Sequence, residues 1–332
     1  MRRMCKQNAA TQIVRCSLLA LLALTLIGCR EGDSAAGESA GKRITLQLNW
    51  KPEPQFGGFY AAEVLELYRK HGLNVTIVPG GASAPTIDML GAGTVPFAIV
   101  SGDEIPRARA AGNNAVALFA VYQTNPQGIM TRASRGFTDI SDIFKHPGTL
   151  AMERGLPYSS FLERKYGYDK LTLRPSPFGD LTLFRADENY AMQCFVTSEP
   201  LAAKKIGVEP QTFLIAESGY NPYTTVLATS ESYLRQNPDV VKRMVQAVRE
   251  GWEAYLADPA QTNQHMHRLN PTMDLQTFAE SAQAQIPLIE TEQTKQHGLG
   301  TMTEQRWQTL IDQLVDLQVI PQRVKANDIF LK

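Results

Sequence analysis

The sequence predicts an α/β architecture of two lobes, each a mixed sheet flanked by helices. Three observations carry this reading. Strands alternate with helices in short units from residue 44 onward, which is the pattern of a parallel or mixed sheet covered by helices. That alternation begins again after residue 136. The roughly 290 residues beyond the N-terminal segment exceed one core of ordinary size.

Residues 44–49 (ITLQLN) read as the first strand. Residues 58–72 (GFYAAEVLELYRKHG) follow as a helix, with Tyr60, Val64, Leu67 and Tyr68 on one face and Gly72 as the stop. His71 lies in the last turn and interacts with the negative helix end. Strand 73–80, helix 84–93, the continuously apolar strand 94–102, helix 103–112 and strand 115–123 complete the first unit. The second unit has strand 148–153, helix 157–167, strand 171–175, helix 180–187, strand 189–197, helix 198–207 and strand 211–218. From Ser230 the chain turns helical. Asn237 caps a helix with Pro238 at its first position and Val241, Met244, Val245, Val248 and Trp252 as its buried stripe. A last helix starts at Thr301-Met-Thr-Glu304, with Trp307, Leu310, Ile311 and Leu314 facing inward.

The N-terminus sets the compartment. Residues 1–28 carry Arg2, Arg3, Lys6 and Arg15, no acid, and the apolar run SLLALLALTLI. That run is shorter than the ~20 residues a permanent membrane helix needs and fits a signal peptide. The end of the run, Leu26-Ile27-Gly28-Cys29, resembles a bacterial lipobox, which implies lipid on Cys29 and an extracytoplasmic, membrane-anchored protein. Residues 29–42 read as a flexible tether. Removal of 1–28 leaves 29 basic and 33 acidic residues, a net of −4, with no electrostatic footprint for nucleic acid. Cys194 then remains without a partner for a disulfide or a cysteine-based metal site.

Motifs that would demand chemistry are missing. There is no phosphate-binding Gly-x4-Gly-Lys loop, no His-Glu-x-x-His and no Gly-x-Ser-x-Gly elbow. Gly91-Ala-Gly93 precedes a strand instead of following one, so it reads as a turn. His265-Met-His267 reads as a surface pair, and Cys194, inside an apolar strand, as a small hydrophobe. No catalytic residue, metal or cofactor is expected.

Ligand-like chemistry gathers instead at strand ends, where open α/β sheets place their ligands. The first end offers Asn49, Trp50, Gln55 and Phe56, with Gly57 opening a helix; the third offers Ser101 and Asp103; the fourth offers Tyr122 and Gln123. In the second unit Arg154, Tyr158, Thr197 and Glu199 open helices, and Tyr223 lies near the return crossing. Several of these also suit plain helix capping. Together they give the aromatic walls and sparse polar groups of a small-molecule pocket.

Residues 48–62 (LNWKPEPQFGGFYAA), 91–104 (GAGTVPFAIVSGDE), 123–130 (QTNPQGIM), 196–200 (VTSEP), 237–259 and 302–307 resemble the solute-binding proteins of ABC importers, in the NMT1/THI5-like group that takes sulfonates, nitrate and thiamine-pyrimidine precursors. The resemblance implies a two-lobed, type II-like periplasmic-binding-protein fold. Residues 43–128 and 226–332 would form the first lobe and 129–225 the second, hinged over a cleft. Its implied partners are a small molecule, a permease with its ATPase subunit, and the membrane through the lipid; a monomer is expected. The Trp after the first strand is most similar to the pyrimidine-precursor branch, so a flat heteroaromatic ligand is expected first, with Trp50, Phe56, Tyr122 and Tyr158 stacking and Arg154 taking an anionic end. A sulfonate, nitrate or other small anion is the alternative, a flavin another, and a thiamine-pyrimidine synthase-like enzyme the alternative of a different class.

Overall fold

In the computed structural model, ten strands are described. They are β1 (Arg43–Gln47), β2 (Asn74–Val78), β3 (Phe97–Val100), β4 (Ala115–Tyr122), β5 (Gln127–Arg132), β6 (Gly148–Ala151), β7 (Leu171–Arg174), β8 (Tyr190–Phe195), β9 (Pro210–Leu214) and β10 (Thr224–Ser230). They form two five-stranded sheets, ordered β2-β1-β3-β10-β4 and β7-β6-β8-β5-β9. The structure describes residues 42–82 and 84–332, which belong to the unit Ala40–Lys332. The expected signal, the lipidated Cys29 and the tether up to residue 41 lie outside the described residues. Among the described residues no helix is long and apolar enough to cross a membrane.

Both sheets are mixed for the same reason. β10 runs antiparallel between β3 and β4, and β5 runs antiparallel between β8 and β9. These are the strands delivered by the two crossings of the chain, and they were not anticipated as strands from the sequence. The lobe boundaries expected at 128/129 and 225/226 fall inside β5 and β10. The ladder bonds of β5 and β10 each lie within one sheet.

The helices follow the apolar faces. Helix Pro238–Ala257 buries Val241, Met244, Val248 and Trp252, packing along helix Gly57–Val64. The helix expected over 58–72 is broken: Glu66 takes a left-handed conformation (φ 56°) and a separate turn, Leu67–Lys70, follows. The break swings Tyr68 back into the core, where its hydroxyl donates to the Phe59 carbonyl at 3.1 Å. The last helix, Glu304–Asp316, is capped by Thr303 and not by Thr301. The Gly300 and Thr301 carbonyls accept from the Ala120 N–H and the Gln123 side chain, which holds that segment extended. Asn237 precedes Pro238 at the helix start, but its side chain donates back to the Tyr233 carbonyl instead of capping.

Candidate functional site

The crossing segments are tied to each other. The Asn125 N–H donates to Asn221 Oδ1 at 2.9 Å, and Asn125 Nδ2 donates to the Pro222 carbonyl at 3.3 Å. Arg306 holds the Asn221 carbonyl with Nε and Nη2, at 3.1 and 2.9 Å. Beside these segments, a cavity of about 350 Å³ is lined from both sheets. That is a volume for one small guest.

The first half contributes the turns after β1 and β3. Trp50 Nε1 donates to Glu53 Oε1 at 3.2 Å, and Lys51 sits 5.8 Å from the Trp50 ring centroid. Glu104 Oε2 accepts the Ser101 N–H at 2.7 Å. The second half contributes Tyr158, whose hydroxyl donates to Gln193 Oε1 at 2.5 Å, and Glu199, which accepts the Phe195 N–H at 2.8 Å.

Charge in the cavity is one-sided. Glu53, Asp103, Glu104, Glu153 and Glu199 line it, and Arg107 is the one cation among its described lining residues. Burial and then the negative Glu199 push the Glu53 carboxyl up to about 7, against the pull of the Trp50 hydrogen bond and Lys51. Burial and the neighbouring Asp103 push Glu104 up to about 7 as well. Burial also raises Asp103 and Glu199, with Arg107 opposing the shift at Asp103. The Cys194 thiol lines the cavity too, and burial followed by Glu199 raises it well above its ordinary value.

Of the residues singled out from sequence, the structure brings Asn49, Trp50, Gln55, Ser101, Asp103, Tyr158 and Glu199 to the cavity. The others are not on its wall. Phe56 is in the core, and Gly57 starts its helix against the Tyr255 ring, where a Cβ would meet ring carbons at 2.1 Å. Tyr122 is fully buried, donates to Gln285 Oε1 at 2.7 Å and sits edge-on behind Phe195, the ring that does line the cavity. Gln123 is occupied by the Ala120 and Thr301 carbonyls. Thr197 is buried beside Tyr122. Tyr223 packs on Trp307 under the Arg306 guanidinium. Arg154 is exposed and donates to the Leu173 carbonyl at 3.4 Å, so the expected anion-binding arm points elsewhere.

Glu153, at the strand end that also carries Arg154 and Tyr158, lines the cavity; Glu53, Glu104, Gln193, Phe195 and Phe178 line it without being singled out from sequence. A signal existed for two of them. Glu53 is a carboxylate locked between two prolines at a strand end, and Gln193 is the one polar residue in the apolar run YAMQCF.

A family model described as NMT1/THI5 like matches residues 53–262, more than half the chain and both sides of the cavity. The chain belongs to the NMT1/THI5-like family. Among curated relatives, the riboflavin-binding protein RibY of Chloroflexus aurantiacus is 24% identical over 281 residues, 80% of this chain and 78% of that protein. The formylaminopyrimidine-binding protein of Halalkalibacterium halodurans is 20% identical over 321 residues, 93% of this chain and 96% of that one. A 4-amino-5-hydroxymethyl-2-methylpyrimidine phosphate synthase of Legionella pneumophila is 25% identical over 108 residues, covering 32% of this chain and 34% of the synthase. The periplasmic aliphatic sulphonate binding protein SsuA from Escherichia coli superposes with a TM-score of 0.67 at 12% identity, covering 88% and 92% of the two chains. This NMT1/THI5-like chain therefore has the periplasmic-binding-protein fold.

Proposed function

We propose that this NMT1/THI5-like protein is the extracytoplasmic solute-binding component of an ABC importer. It is anchored through lipid on Cys29 and carries a flat heteroaromatic solute to a permease by closure of its two halves. The observation that carries the reading is the cavity itself. It lies beside paired crossing segments, with Trp50 on one side and Tyr158, Phe178 and Phe195 on the other. Rings facing a flat guest add ~0.5–1.5 kcal/mol per pair beyond burial. A guest that binds the closed state better than the open one shifts the population toward closure. The two curated relatives that match most of the chain are named for flat heterocycles, riboflavin and a formylaminopyrimidine.

The small-anion alternative is supported by the fold of the sulfonate-binding neighbour. The charge of the cavity opposes it, with five carboxylates against one guanidinium. The enzyme alternative is weakened by Cys194, since a thiol held protonated by burial and a nearby carboxylate is a poor nucleophile. Native mass spectrometry of the protein purified from cells tests the reading: a flat heterocycle is expected in the cleft. Trp50→Ala should lower affinity for that heterocycle about tenfold, as loss of a stacking wall would. Unchanged affinity, or an unrelated guest such as an alkanesulfonate, would overturn it.

A further inference from the structure

Away from the crossing segments, a cluster of hydrogen bonds joins the two halves. Lys205 ends the helix Glu199–Lys205, which follows β8 of the second sheet. Its ammonium donates to Asp274 Oδ1 at 2.8 Å, to Asp274 Oδ2 at 3.0 Å and to the Thr277 hydroxyl. Asp274 and Thr277 stand at the start of the helix Leu275–Ile289, which is tied to the other half. Its Gln285 Nε2 donates at 3.1 Å to the carbonyl of Pro54, after β1, and its Leu288 carbonyl accepts from the Gln123 and Thr124 N–H groups, after β4. On the reading that the halves close over a solute, we infer that Lys205 and Asp274 form a reversible ionic latch, which biases the solute-free protein toward the closed state and parts when the cleft opens.

Position separates this pair from the other ties between the halves. Bonds at a pivot survive a hinge motion, whereas bonds at a distance from it depend on how the halves are turned. Leu288 lies at the first crossing, and Asp274, at the opposite end of that helix, is about 20 Å away at 1.5 Å per residue. Arg164 also reaches across, donating to the Asp316 carbonyl. There, however, Lys165 and Gln313 hold the Ser218 and Gly219 carbonyls close to the crossing at Asn221, so that tie belongs to the pivot. The latch also breaks at low cost. Asp274 is the N-cap of its helix: Oδ1 accepts the Thr277 N–H at 2.9 Å and Oδ2 the Thr277 hydroxyl at 2.6 Å. Those bonds remain when Lys205 leaves, so the carboxylate keeps its donors. The Lys205 and Asp274 side chains are 30% and 59% exposed, and water replaces each partner as they part. Ile206 and Leu275, next in the chain to the two partners, are exposed too, so apolar burial does little of the joining at this point. Lys205 and then Thr277 hold the Asp274 carboxyl well below its ordinary value, which keeps it charged at neutral pH. Observed affinity scales with the fraction of protein already in the binding state, so the latch strengthens binding without touching the solute.

The test measures the distance between nitroxide labels on the mature chain with no solute added. The labels sit on p-acetylphenylalanine placed at Asp88 and Thr182, exposed positions before β3 and β8, which leaves the cysteines unlabelled. A short and a long distance are expected, for closed and open forms. Lys205→Met and Asp274→Asn, the second of which keeps a capping side chain, should each lower the closed-to-open ratio about two- to fivefold, as loss of a partly exposed ion pair would. Thermal unfolding should show both variants folded, and Lys205→Arg should keep the parent ratio. At an ionic strength of about 1 M, where screening acts within about 3 Å, the parent ratio should fall and that of Lys205→Met should not move. A ratio indifferent to both Lys205→Met and Asp274→Asn, or a parent that is wholly open, would overturn the inference. A loss in Lys205→Arg as large as in Lys205→Met would do the same. If the ratio responds as expected but no guest co-purifies from cells, the latch stands and the solute-binding reading is the one that fails. If a guest co-purifies and the ratio ignores the substitutions, the latch alone fails.

Discussion

The two halves handle their side chains differently. In the first sheet every residue of β4 and β10 is buried, and the rings of Trp252, Tyr255, Tyr122 and Phe119 are locked in the core around it. In the second, β7 alternates between partly buried and exposed residues and β9 buries only Phe213 fully; Phe178 and Leu183 are about half exposed. The consequence shows at the cavity. The first half offers one ring, Trp50, with Glu53, Asp103 and Glu104, whereas the second offers three rings, Tyr158, Phe178 and Phe195, with Glu153 and Glu199. A packed platform positions charge accurately, and a looser partner keeps aromatic surface available for a guest.

The contrast is broken most directly in the backbone. Helix Pro238–Ala257 and helix Gly57–Val64 approach closely at Gly251, where a Cβ would lie 2.2 Å from the Gly58 carbonyl oxygen and 2.9 Å from the Ala62 Cβ. Neither neighbour can move without shifting a helix. Gly251→Ala is therefore expected to destabilise the protein by about 3 kcal/mol, at the upper end for overpacking. Gly155→Ala, in the second half, has open space around its Cβ and only a left-handed φ of +81° to oppose it. It should cost about 1–2 kcal/mol. Chemical denaturation of both variants decides: equal losses would mean that the halves do not differ in packing.

How much of this the sequence disclosed follows the same division. Strands whose residues alternate or run apolar, such as residues 44–49 and 94–102, are legible because local periodicity reports burial. β5 and β10 were hidden because they take their place only through partners distant in sequence, Gln127 opposite Phe195 and Thr224 opposite Tyr122. Strand-end logic singles out Trp50, Asp103, Tyr158 and Glu199, which line the cavity. It also singles out Tyr122, Phe56 and Tyr223, which are buried off the cavity wall, since a ring after a strand packs inward as readily as outward and sequence does not say which side is filled. The acidic character of the cavity was invisible for a related reason. Glu53 and Glu104 are ordinary surface residues by type, and only the fold draws them away from water.

Titration sharpens the comparison from the platform side. Glu53 and Glu104 are both pushed up to about 7, from an ordinary value of 4.5. Between those two values the folded chain binds more protons than the unfolded one, so stability is lost as pH rises from about 4.5 to about 7 and is regained on acidification. Each group contributes at most about 3 kcal/mol to that slope. The ligand-free protein should accordingly unfold at lower denaturant at pH 8 than at pH 5.5. Glu53→Gln, which mimics the protonated acid, should raise stability at pH 8 and leave it nearly unchanged at pH 4, below the unfolded value. A flat profile in the parent protein would show that these carboxylates are as well solvated as surface acids.

The smallest effect on stability, and the most informative about the second half, is expected at Phe178. This residue lines the cavity, is 54% exposed and holds a left-handed backbone at φ 47°, followed by Gly179 at φ +92°. A non-glycine residue held there costs of order 1 kcal/mol, and its ring gains little packing in return. Glycine at this position relieves that strain but adds freedom to the unfolded chain, so Phe178→Gly should change stability by no more than about 0.5 kcal/mol. If the ring closes over the guest opposite Trp50, the same variant should weaken binding of an aminopyrimidine or riboflavin probe roughly three- to tenfold. Phe178→Ala should weaken binding equally while keeping the strain. A variant that loses stability and keeps its affinity would place Phe178 among packing residues, and the division between a rigid charged platform and a yielding aromatic partner would no longer hold.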